Sequence, residues 1–149
     1  MGTPLRTCSN CGRQNRVRPG DLAKTIRCGA CKTVLGALTE PVDADAVLFD
    51  EVIRDAEVPV LVDFWAAWCG PCRMAAPAVS HVAKEMAGRA VVLKVDTDRH
   101  PEVANRFGVR GIPNFVIFRN GQVVRQQAGI VPQDELKRWL EAAESAVAP

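Results

Sequence analysis

The six cysteines of this 149-residue chain form three Cys-x-x-Cys pairs, and two of those pairs lie in a stretch with almost nothing else to hold it folded. All eight aromatic residues lie from Phe49 onward, which leaves residues 1–40 only scattered Leu, Val, Ile and Ala. A segment with so little to bury needs a disulfide or a metal as a staple. The pairs Cys8-Ser9-Asn10-Cys11 and Cys28-Gly29-Ala30-Cys31, with 16 residues between them, fall inside the spacing of a tetrahedral site with four cysteine ligands. Gly12 and Gly29 are expected to supply the tight or positive-φ backbone that each cysteine knuckle needs, and Pro19-Gly20 marks a bend between them.

Two disulfides are the alternative to a metal, and they suit an oxidising compartment. The stretch Met1 to Cys11 has no apolar core or small-residue cleavage site of a secretory signal, so a cytoplasmic chain with reduced cysteines is expected. Four thiolates fill a tetrahedron and leave no open position for catalysis, so the expected ion is one structural Zn²⁺. Oxidation of those thiolates would release it and make the site redox-responsive.

The net charge of +2 conceals an asymmetry: residues 1–40 carry seven Lys/Arg against two acids, +5, and residues 41–149 carry twelve against fifteen, −3. A basic ribbon could in principle contact nucleic acid or an acidic partner while a redox domain switches it. No aromatic side chain interleaves those basic residues for base stacking, so nucleic acid is not expected as the main partner. With 48% hydrophobic and 24% charged residues the chain is too apolar to be disordered. Its best apolar run, Val58 to Trp68, is far short of a membrane span and carries Asp63 in its middle.

From about Thr39 the pattern changes. Val47, Leu48, Val52 and Ile53 fit an amphipathic helix capped by Asp45. Pro59 to Trp65 and Ala90 to Val95 fit buried strands, and Gly70 to Met86 a helix interrupted by Pro77, where a kink is expected. A short helix over Pro101 to Phe107 precedes a hairpin of Asn114–Phe118 and Gln122–Gln126 around Asn120-Gly121, with type I′ character. Pro132 to Ala146 closes the chain as a helix. Together these elements predict a mixed sheet with helices on both faces.

The third cysteine pair sits where a strand gives way to a helix, in Trp68-Cys69-Gly70-Pro71-Cys72. Free N–H groups and the positive end of the helix dipole favour an anion there, so Cys69 is the expected nucleophilic thiolate. Cys72, one turn inside, is placed to resolve a mixed disulfide and close an intramolecular Cys69–Cys72 bond. An aspartate inside an apolar strand, Asp63, is expected to have a function rather than a solvated charge. His81 and His100 are read as surface or capping residues.

Val62-Asp63-Phe64-Trp65-Ala66, the Trp68–Cys72 motif, Ala76-Pro77, Asp96, Gly111-Ile112-Pro113 and Asn120-Gly121 occur in the order found in the thioredoxin family, which residues 40–149 resemble. With the four N-terminal cysteines, the resemblance sharpens to the zinc-containing bacterial thioredoxins, the thioredoxin 2 type, and covers nearly the whole chain. It implies an α/β thioredoxin fold over 40–149, a mixed central sheet flanked by helices, preceded by a small zinc ribbon over 1–39. It also implies a protein-disulfide reductase, an electron carrier that meets disulfide-containing client proteins and is recycled by an NADPH-dependent thioredoxin reductase. By the same resemblance Asp63 takes a proton from Cys72, Lys94 accompanies Asp63, and Pro113 is a cis-proline facing the dithiol. Trp68, Gly70, Pro71, Ile112 and Pro113 then form the client-binding surface. Where the family usually has threonine after the cis-proline, this chain has Asn114, an amide that both donates and accepts, which bears on client preference.

Overall fold

The computed structural model describes residues 4–145. Its N-terminal part forms two small hairpins joined by a connector. Strands β1 (Leu5–Thr7) and β2 (Gln14–Arg16) pair antiparallel, as do β3 (Ile26–Arg27) and β4 (Val34–Leu35) just beyond. Each hairpin carries one cysteine pair at its turn. The left-handed residue of the first turn is Gly12, at φ 80°, and of the second Lys32, at φ 66°, so of the tight or positive-φ backbone expected at Gly29 the positive φ falls on Lys32 instead. The two turns repeat one geometry: Gly12 N–H donates to the Cys8 carbonyl at 2.9 Å, and Lys32 N–H to the Cys28 carbonyl at 3.0 Å. It is the residue following the second cysteine that must turn left-handed, and in the second knuckle that residue is a lysine.

The connector is built into the larger domain. A single 3-10 turn, Pro19–Asp21, leads into Leu22, which with Val17 joins the buried cluster of Leu48, Phe49, Val52 and Val62. Leu22 is 1% exposed and Val17 3%. A Cβ added at Gly20 would come within 2.9 Å of both the Asp55 carbonyl oxygen and the Asp55 Cβ, so only glycine allows this approach. Lys24 then reaches Asp21 at 3.1 Å and Glu57 at 3.3 Å.

The larger unit is a five-stranded sheet in the order β5-β7-β6-β8-β9, formed by β5 (Val42–Asp43), β6 (Val60–Trp65), β7 (Val91–Asp96), β8 (Asn114–Arg119) and β9 (Gln122–Ala128). The central strand β6 runs parallel to β7 and antiparallel to β8, and all its residues but Trp65 are buried, as a β-branched run covered on both faces must be. Strand β5, two residues long, has no counterpart in the pattern of the sequence. The β8–β9 turn places Asn120 at φ 54° and Gly121 at φ 78°, the pair of positive angles that a type I′ hairpin requires.

Among the described residues four helices cover the sheet: α1 (Ala46–Asp55), α2 (Gly70–Glu85), α3 (Pro101–Arg106) and α4 (Gln133–Ser145), the expected end of the last at Ala146 lying outside the described residues. Asp45 caps α1 by accepting the Leu48 N–H at 2.8 Å. On one face Phe49, Phe64, Phe107 and Phe118 pack ring on ring, Phe49 and Phe118 edge-on at 5.6 Å. On the other, Ala75, Val79 and Val82 of α2 and Leu136 and Leu140 of α4 bury Leu61, Val92, Phe115 and Ile117. Pro77 lies inside α2, which continues through it from Gly70 to Glu85 without interruption.

Candidate active site and metal centre

Strand β6 ends at Trp65, and after four residues α2 begins, with Cys69 as its N-cap. That junction sets the chemistry. The Cys72 N–H points back to the Cys69 Sγ at 3.1 Å, so the helix aims its free donors at this sulfur. Cys69 and Cys72 are joined as a disulfide with Cα atoms 5.2 Å apart. Both are nearly enclosed, 3% and 5% exposed, in a small cluster with Ala66 and the flanking Trp65 and Ile112. Trp65 therefore packs beneath the loop. Trp68 stands out from it, 67% exposed, its indole Nε1 donating to the Asp98 carboxylate at 2.9 Å. Gly70 and Pro71 form the first turn of α2 between the two sulfurs.

Facing the dithiol is the loop before β8. The Ile112–Pro113 peptide is cis, and the Ile112 carbonyl oxygen lies 3.7 Å from the Cys69 Sγ. The structure thus brings Cys69, Cys72, Ile112 and Pro113 together from two segments distant in the chain.

Asp63 is 1% exposed in the centre of β6, and its Oδ1 has no hydrogen-bond partner among the described residues. Alternation along the strand puts it on the side of Leu61, the face that α2 covers. Burial pushes its carboxyl up to about 7, with the Lys94 charge working in the opposite direction. Lys94 is its register partner on β7, and its Nζ sits 4.6 Å over the Trp65 ring. Lys94 and Asp43 border two open grooves of about 530 Å³ each, neither lined by the dithiol. His100 is the N-cap residue of α3 without a side-chain cap bond among the described residues, and His81 is exposed.

The N-terminal cysteines converge independently. The sulfurs of Cys8, Cys11, Cys28 and Cys31 all lie within 4.8 Å of one another, with Cys8 to Cys31 at 3.7 Å and Cys11 to Cys28 at 3.6 Å. Four sulfurs about 2.3 Å from one ion stand about 3.8 Å apart in a tetrahedron, so the set fits a metal. Donors surround three of the sulfurs. Asn10 N–H donates to Cys8 Sγ and Ala30 N–H to Cys28 Sγ, both at 3.4 Å, and Asn10 Nδ2 reaches Cys31 Sγ at 3.5 Å. The Thr33 and Asn10 side chains hold the Cys31 thiol down to about 5, and backbone N–H groups of Cys31 and Ala30 hold Cys28 to about 7. Cys11 is pushed up to about 11: the Arg13 backbone lowers it, and the thiols of Cys28 and Cys31, desolvation and the thiol of Cys8 together outweigh that. Four sulfurs this close share protons until a cation replaces them. Asn15 braces the pair of knuckles, its Oδ1 accepting the Gly29 N–H at 2.9 Å.

A Cys-x-x-Cys disulfide at a strand-to-helix junction, faced by a cis-proline loop, defines a thiol-disulfide oxidoreductase. Comparison with known proteins agrees: the family model described as Thioredoxin matches residues 40–142, and the chain belongs to the thioredoxin family. It is 50% identical over 93 residues to Thioredoxin 1 of Nostoc sp., covering 62% of this chain and 87% of that one. Thioredoxin C-3 of Corynebacterium nephridii is 38% identical over 134 residues, 90% of this chain and 91% of that one, so the similarity extends into the four-cysteine segment. Among solved structures, a single-site mutant thioredoxin from Halobacterium salinarum superposes with a TM-score of 0.67 at 36% identity, covering 74% of this chain and 96% of that one. The interactions of Asp98, Asn114 and Gln126 have no signal in the sequence, because their partners lie far along the chain.

Proposed function

We propose that the chain is a cytoplasmic protein-disulfide reductase, recycled by an NADPH-dependent thioredoxin reductase, with one structural Zn²⁺ held by Cys8, Cys11, Cys28 and Cys31. The observation that carries the reading is the Cys69–Cys72 disulfide at the N-terminus of α2, with the Ile112 carbonyl against Cys69. In the reduced form the Cys69 thiolate attacks one sulfur of a client disulfide, a new S–S bond forms, and the other client sulfur leaves as a thiolate that takes up a proton. Cys72 then gives its proton to the Asp63 carboxylate and attacks Cys69. The client's second sulfur departs, the client has gained two electrons, and the Cys69–Cys72 bond closes. Lys94 tunes Asp63 across the β6–β7 ladder. Trp68, Gly70, Pro71, Ile112 and Pro113 form the face that meets the client. Held by these four cysteines, an ion would cross-link the fold of residues 1–39, and residues 40–149 carry the reaction.

Reduction of insulin disulfides with dithiothreitol as electron donor tests this directly. Cys69→Ser is expected to reduce the stimulated rate to background, and Cys72→Ser to accumulate a client mixed disulfide that survives alkylation. Equal rates for wild type and Cys69→Ser would overturn the proposal.

A further inference from the structure

Asn114 follows the cis-proline on β8; it is 5% exposed, and its amide is bonded at both ends. Its Nδ2 donates to the Gly111 carbonyl at 3.3 Å, and its Oδ1 accepts from Gln126 Nε2 at 3.2 Å. Gln126, on the outer strand β9, donates from the same nitrogen to the Phe107 carbonyl at the end of α3, at 2.9 Å. Asn114 pairs with Ala128 and Val116 with Gln126, so Asn114 and Gln126 are diagonal neighbours on one face of the sheet. That face is opposite Asp63, because Asn114 shares the side of Val116 and Phe118 in the Phe49 cluster, and Phe115 lies on the other.

The loop it grips is the one that meets the dithiol. The Pro113 carbonyl is held by the Gly129 N–H at 2.8 Å, a main-chain bond that involves no side chain. The Gly111 carbonyl is held by the Asn114 side chain, a contact that depends on residue type. Between these two anchors sits Ile112, whose carbonyl approaches Cys69 Sγ. We propose that Asn114, tethered through Gln126 to α3, is a positioning residue that fixes the Gly111–Pro113 loop so that Ile112 presents its main chain to an extended client segment. Client affinity then depends on this network, and the chemistry of the sulfurs does not. The inference rests on the reading of Cys69–Cys72 as a client-reducing dithiol.

The test compares reduced wild type with Asn114→Ala, Asn114→Asp and Gln126→Ala on two substrates: insulin, which offers a main chain, and 5,5′-dithiobis(2-nitrobenzoate), which does not. Assayed at pH 8 or above, where the introduced carboxyl is ionised despite its burial, Asn114→Asp still accepts from Gln126 and cannot donate to Gly111, so that variant isolates the loop contact. Both Asn114 variants are expected to raise KM for insulin about fivefold, the equivalent of about 1 kcal/mol for one lost hydrogen bond, with kcat within about twofold. Gln126→Ala shifts KM the same way by a smaller factor, and the rate with the small disulfide is unchanged in all three. Unchanged insulin KM, or an equal loss on both substrates, overturns the proposal. If Asn114→Ala fails to fold, Gln126→Ala, at an exposed site, decides the same question. Failure of wild type itself to reduce insulin would overturn the reductase reading first.

Discussion

Asp63 illustrates how one residue couples stability to chemistry. Its carboxyl is held near 7 in the fold by burial, against a reference value of 3.8. Below the reference value it is protonated in both folded and unfolded chains, and it affects stability little. Between there and about 7 the unfolded chain loses a proton that the fold retains, so the stability of the native state falls as pH rises, then levels off. The full penalty is on the order of 4 kcal/mol. Asp63→Asn removes it, so urea unfolding of the oxidised protein is expected to show a stability gain that grows from about pH 4 to about pH 7 and is constant above. A gain independent of pH would contradict the burial of an ionisable Asp63. An acid placed at this cost suits a group that must hold and release a proton near neutrality.

Elements show where sequence reading succeeds and where it stops. The helix cap at Asp45, the buried strand β6, the Asn120-Gly121 hairpin and both kinds of cysteine pair are legible because their signals are local: period, cap, turn chemistry and ligand spacing. Strand β5 is not, since two residues have no period, and it exists only because β7 offers an edge beside it. Gly29 is a poor guide to the second knuckle because two positions near a turn can look equally fit for a tight backbone, and only the hydrogen bond from Lys32 to Cys28 distinguishes them. The site is legible as residue types, yet the Asn114–Gln126 tether and the Trp68–Asp98 bond span 12 and 30 positions and need the fold. The 3-10 turn at Pro19–Asp21 gives the clearest test of an element contact. Gly20→Ala must push against the Asp55 backbone and is expected to destabilise by about 1–3 kcal/mol. Gly36→Ala, with nothing within 4 Å among the described residues, is expected to be near neutral, and equal effects of the two in urea unfolding would argue against a docked connector.

For the whole molecule, the charge division between a basic N-terminal segment and a mildly acidic remainder coincides with a division of cysteine chemistry. Four sulfurs converge on a common centre and two form the redox bond. The halves are not merely strung together, because Val17 and Leu22 of the ribbon connector are buried among Leu48, Phe49 and Val52 of the larger domain. Loss of the metal would therefore loosen part of a shared core as well as the knuckles. The measurement closest to the central claim is mass spectrometry of metal-loaded protein, reduced and then reoxidised by an equimolar disulfide, with zinc quantified and free thiols alkylated before and after chelation. The account predicts one zinc per chain, a single disulfide at Cys69–Cys72, and alkylation of Cys8, Cys11, Cys28 and Cys31 only after the chelator is added. A disulfide among those four, or their ready alkylation with zinc in place, would contradict it.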